Sequence, residues 1–115
     1  MGFHARHAAG ALDRLFTYAR GETLSSGQRA ALAAETAPDE QGKGSAPDIV
    51  TTFEVQVERA LAQLRATPTD RLTEPREVGR ARLPSTVLGL LFHAAEHTQR
   101  HVGQIITTAK IAGAR

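Results

Sequence analysis

No cysteine occurs in this chain of 115 residues, which excludes disulfides, thiolate metal sites and a cysteine nucleophile. Any thiol in its chemistry must arrive from outside. Tryptophan is missing as well, and one Tyr with four Phe is too few aromatics to build stacking platforms for nucleobases. The formal charge is only +2, and the sequence pI of about 9.7 reflects twelve arginines against two lysines rather than a concentrated basic patch. Nucleic acid is accordingly not an expected partner. No run approaches the roughly 20 consecutive apolar residues of a membrane span, and the opening MGFHARHAAG lacks the basic-then-apolar order of a signal peptide. The expectation is a cytoplasmic protein with no membrane partner. There is no repeat at solenoid periods and no heptad run long enough for a coiled coil. The length suits one domain over residues 1–115.

What is present is helical periodicity broken by Gly, Pro and Asp. The spacing predicts a first helix from Phe3 to Arg20 with Ala8, Leu12, Leu15, Phe16 and Ala19 on one face, stopped at Gly21. Ser25 and Gln28 stand at capping-box spacing and open a short alanine-rich helix ending near Glu35. A loop from Pro38 to Pro47 follows. Ser45, Pro47 and Asp48 then repeat the capping logic before a third helix, whose Ile49, Val50, Phe53, Val57, Ala60, Leu61 and Leu64 form an apolar stripe up to Ala66. From Thr69 to Leu83 the chain is polar, and the arginines at 71, 76, 80 and 82 read as a solvated surface loop with a short extended piece at Val78 to Leu83. Pro84-Ser85-Thr86 should open a last helix running to Gly113. With no strand-like alternation of any length, the class is all-α, an antiparallel helical bundle of up to four helices, one of them short.

Five histidines fall in two clusters, His4 and His7 near the start and His93, His97 and His101 in the last helix. Helical residues four apart are rotated by only about 40° and rise roughly 6 Å, so His97 and His101 can reach one ion together. Neutral imidazole is a common ligand for divalent transition metals, and a third ligand from another element would complete a site with open positions. Taking Val87, Leu91, Ala94, Val102, Ile105 and Ala109 as the buried arc, His101 lies roughly 65° from its centre, His97 about 105° and His93 about 145°. His97 and His101 thus sit on the shoulder of the core, whereas His93 points toward Glu96 and Arg100. Spacing alone leaves the third ligand open between His4 and His7. No general acid or base stands out beside the histidines: Glu96 faces away, and Asp13 is turned by about 120° from His7, suited to orienting a neighbour or pairing with an arginine.

The segment HARHAAGALDRLFTYARGE, followed much later by LPSTVLGLLFHAAEHTQRHVGQIITTAK, resembles the DinB/YfiT-like superfamily. His7, Gly10, Asp13, Arg14 and Leu15 match one motif; His97, His101, Gly103 and Gln104 match another, and together the two segments cover roughly half of the chain. The resemblance selects His7 over His4 and implies a four-helix bundle holding a divalent metal ion, most often nickel or zinc, on His7, His97 and His101. Gln104 would line the same cavity and hydrogen-bond a bound water or substrate. Characterised members of the family include metal-dependent transferases and isomerases that use low-molecular-weight thiols, while many have no known activity. The implied function is a metal-dependent transferase or hydrolase acting on a small-molecule substrate with a low-molecular-weight thiol as cosubstrate; a catalytically silent metal- or ligand-binding bundle is the alternative. One departure stands out, because the family normally carries a complete helix before the motif with His7 and only six residues precede it here. Either the chain is a truncated form, or a neighbouring subunit or the Ser25–Glu35 helix covers the apolar face. The expected assembly is a homodimer packed on the Leu12/Phe16 or Phe53/Val57 face.

Overall fold

The computed structural model describes residues 2–35 and 46–113, so the expected loop from Pro38 and the Ser45 cap lie outside the described residues. Among the described residues four helices carry the fold: α1 (Gly2–Ala19), α2 (Ser26–Glu35), α3 (Ala46–Ala66) and α4 (Val87–Gly113). Between α3 and α4 a single 3-10 turn leads into an antiparallel hairpin, β1 (Pro75–Val78) with β2 (Leu83–Thr86), in the register Pro75 to Thr86 and Val78 to Leu83. The bundle is helical as expected, with this small hairpin added.

Each boundary has a local cause. Helix α1 stops at Gly21, whose φ of +82° suits a residue without Cβ; its amide reaches the Tyr18 carbonyl and the next amide reaches Thr17. The capping box of α2 is formed in full: Ser25 Oγ accepts from the Gln28 amide at 3.1 Å and Gln28 Oε1 accepts from the Ser25 amide at 2.8 Å. The last helix begins later than expected. Leu83 to Thr86 pair with β1, and α4 opens at Val87 with Thr86 as its cap, the Thr86 hydroxyl accepting from the Gly89 amide at 3.0 Å. Backbone carbonyls of Glu74 and Leu72 accept from the amides of Val87 and Leu88, so the hairpin segment satisfies part of this helix start. The extended pieces thus flank the turn at 79–82 rather than spanning Val78 to Leu83.

The core gathers on α1. Leu12, Phe16 and Ala19 pack with Val87, Leu90, Leu91 and Ala94 of α4 and with Ala60 of α3, and Leu72 and Val78 close the hairpin end. Helices α3 and α4 both lean on α1 and have little contact with each other. Between them lies a groove of about 300 Å³ floored by Leu12, Phe16 and Leu91 and walled by Val57, Leu61 and Leu64. The α3 stripe is therefore only half used, with Val50, Leu61 and Leu64 exposed. The short helix α2 packs on another side of α1 and leaves this groove open among the described residues. The expected arc of α4 also needs correction: among the described residues Val102 and Ala109 are exposed and Ile105 is half-buried.

Candidate metal centre

The motif face of α1 turns toward α2. Arg14 Nη1 donates to Glu35 Oε2 at 2.6 Å, and Gln28 Nε2 donates to Asp13 Oδ2 at 2.9 Å and to Thr17 Oγ1 at 2.8 Å. Asp13 therefore orients a neighbour, and that neighbour is an amide rather than an arginine. A Cβ on Gly10 would run into Glu35 Oε2 and stand 2.9 Å from Arg14 Nη1, so glycine is what lets the buried carboxylate lie against the helix backbone.

At the end of α1 beyond this contact, His7 meets α4. His7, His97 and His101 each offer a ring nitrogen, all within 4.8 Å of one another. Their ring centroids are 5.1 Å apart for His7 and His97, 4.9 Å for His7 and His101, and 4.4 Å for His97 and His101. Two imidazoles bound tetrahedrally at about 2.05 Å from one ion have donors roughly 3.3 Å apart, so side-chain adjustments of an ångström or so bring these into ligating range. His4 is close as well, its Nδ1 lying 3.1 Å from His101 Nδ1. His93 is exposed and pairs with Glu96, which also pairs with Arg100, and its ring lies 5.7 Å from that of His97. Gln104, one turn past His101, is exposed at the rim beside the His101 ring.

Electrostatics keep the two α4 histidines uncharged. Burial, then the neighbouring His101, His7, Arg100 and His93, pushes the pKa of His97 down from 6.5 to about 4. His101 is lowered too, first by burial and then by His7, His4 and Arg100, with Gln104 acting in the opposite direction. At neutral pH both rings hold a free lone pair, the form in which imidazole binds metal. Three nitrogen donors on one accessible edge fit a divalent ion of the zinc or nickel type.

Glu35 is the residue that sequence reasoning missed. Its side chain is 7% exposed, and Oε1 lies 2.7 Å from His7 Nδ1, so an acid does accompany the histidines. It comes from the far end of a helix that reads as a bland alanine-rich connector, and its clue was slight: Glu35 follows Gln28 by two turns, placing both polar side chains on the α2 face that meets α1. Of the loop arginines, Arg71, Arg80 and Arg82 are exposed as expected, and Arg76 departs from the expectation. Arg76 is structural: its Nε donates to the Ala19 carbonyl at 2.8 Å, capping α1, and its Nη2 pairs with Glu74, while Arg82 pairs with Glu77.

Among the described residues, no helix is long and apolar enough to cross a membrane. Among curated proteins and among solved structures, no significant match is found. A family model described as the DinB superfamily matches residues 1–105, spanning α1 with His7, the α2 strut and the stretch of α4 that carries His97, His101 and Gln104. The helical bundle and the match over most of the chain agree, and the chain belongs to the DinB superfamily.

Proposed function

We propose that this protein is a metal-dependent enzyme, a transferase or hydrolase that works on a small electrophilic substrate with a low-molecular-weight thiol or water as nucleophile. The observation that carries the reading is the convergence of three ring nitrogens within 4.8 Å on one edge of the bundle. His7, His97 and His101 would hold the ion, zinc or nickel by donor chemistry. When bound, such an ion supplies Lewis acidity and lowers the pKa of a thiol or water brought to an open position. Gln104 at the rim offers an amide to hydrogen-bond the incoming molecule. The absence of cysteine fits a nucleophile delivered from solution.

Metal content of protein purified without an affinity tag tests the first step. Roughly one equivalent of zinc or nickel is expected, with His101→Ala losing most of it and His93→Ala keeping most of it. Equal loss in both variants would overturn the assignment of the site. A thiol-transfer assay with a model electrophile, run on the loaded protein, tests the second step.

One observation favours a catalytically silent metal- or ligand-binding bundle instead. Glu35 is buried and tied to His7 and Arg14, so the acid beside the histidines is not presented to a substrate. Metal binding without turnover would select that reading. In either case the open groove between α3 and α4 argues for a homodimer, in which each copy fills the apolar groove of the other.

A further inference from the structure

Glu35 is held with unusual completeness for a residue at the end of a ten-residue helix. Gln28 ties one end of α2 to Asp13 and Thr17; two turns later Glu35 ties the other end to Arg14 and His7. Gly10 clears the space in which the carboxylate lies. These features converge on one contact, the 2.7 Å approach of Glu35 Oε1 to His7 Nδ1. A carboxylate paired with arginine is ionised and can only accept, so the proton of that bond must sit on His7 Nδ1. The lone pair of neutral His7 then resides on Nε2, across the ring from the carboxylate.

We infer that Glu35 is a positioning residue for the candidate centre: through its hydrogen bond it fixes His7 as the Nδ1–H tautomer and aims the Nε2 lone pair at the site shared with His97 and His101. The inference rests on the metal-binding reading above. The carboxylate is buried against Arg14 at 2.6 Å and His7 at 2.7 Å rather than presented to an incoming substrate, which suits positioning better than general-base work. Carboxylates that orient metal-ligating imidazoles in this way typically change metal affinity by 10- to 100-fold when removed.

The isosteric variant Glu35→Gln separates positioning from mere packing. Arg14 offers only donors, so in this variant the side-chain amide oxygen turns to Arg14 and the NH₂ turns to His7, which makes Nδ1 an acceptor and moves the ring proton to Nε2. Long-range ¹⁵N–¹H correlation spectra of histidine-labelled, metal-free protein at pH 8 read the tautomer directly, and zinc titration reads the affinity. The expected result is Nδ1–H on His7 in the parent protein, Nε2–H in Glu35→Gln, and zinc binding weakened by about 10- to 100-fold in that variant. Gln28→Ala, which loosens α2 without touching His7, is expected to keep the parent tautomer and its affinity to within about threefold. Retention of Nδ1–H and parent affinity in Glu35→Gln would overturn the inference, as would an equal effect of Gln28→Ala. If the parent protein binds no zinc, the metal reading fails, while the tautomer measurement still decides whether Glu35 governs His7.

Discussion

At the scale of single residues, Gly10 shows how one missing methyl group holds a site together. A Cβ there collides with Glu35 Oε2 and crowds Arg14. Gly10→Ala is therefore expected to destabilise the fold by about 1–3 kcal/mol despite the better helix propensity of alanine, as overpacking and a broken buried ion pair outweigh it. Thermal denaturation checks this; an unchanged or raised Tm would show that the carboxylate gives way at no cost. A second prediction concerns pH. The unfolded chain protonates His97 as pH falls through about 6.5, while the folded ring resists until about 4. Stability of the metal-free protein should therefore decline progressively from about pH 6.5 toward 4, with no contribution from this group at higher pH. His101 adds in the same direction, and His97→Ala should flatten the Tm profile between pH 7 and 5. The histidines were legible in the sequence because helical spacing alone puts His97 and His101 on one edge. Glu35 was not, since its role depends on a docking angle between α2 and α1 that no local pattern encodes.

Among the elements, α2 carries more than its length suggests. Its capping-box glutamine uses its oxygen to close the helix start and its nitrogen to reach Asp13 and Thr17, so one side chain both ends a helix and fastens it. Gln28→Ala is expected to cost about 1–2 kcal/mol, the sum of a cap and a net side-chain hydrogen bond, read as a lower Tm with the far end of α1 unaffected. A loss below about 0.3 kcal/mol would mean that α2 is held by Glu35 alone. The helices themselves were readable from periodicity and caps, and their observed ends fall within a few residues of expectation. The hairpin was readable only in part. Pro84 and the Ser-Thr pair resemble a helix opening, yet residues 83–86 are drawn into pairing with 75–78 because Gly79, at φ +73°, closes the turn between them.

For the molecule as a whole, the exposed flank of α4 sets the problem. Leu88, Phe92, Val102 and Ile106 are 38–71% exposed, and with Ala95 and Gln99 they follow alternating four- and three-residue steps along one line. The sequence hid this seam because the buried Leu90, Leu91 and Ala94 make most of the helix circumference apolar at that level. The line lies on the opposite flank from His97 and Gln104 and borders the α3/α4 groove. In an antiparallel pairing of two copies centred between Ala95 and Gln99, Leu88 meets Ile106, Phe92 meets Val102 and Ala95 meets Gln99, while both histidine edges stay open. Light scattering at micromolar concentration is expected to give a dimer, and Phe92→Glu a folded monomer. A parent chain that is monomeric and unfolds cooperatively would contradict the proposed assembly. The reliance of α3 and α4 on α1 has a further consequence, for the route by which the fold is reached. Nothing in the C-terminal half can complete its packing until the chain has returned to α1, so closure of a long loop precedes most of the reward, and folding should be slow for a helical protein. An ion gripped by His7 and by α4, some ninety positions away in the chain, would engage after that closure. It would lengthen the lifetime of the folded state rather than hasten its formation.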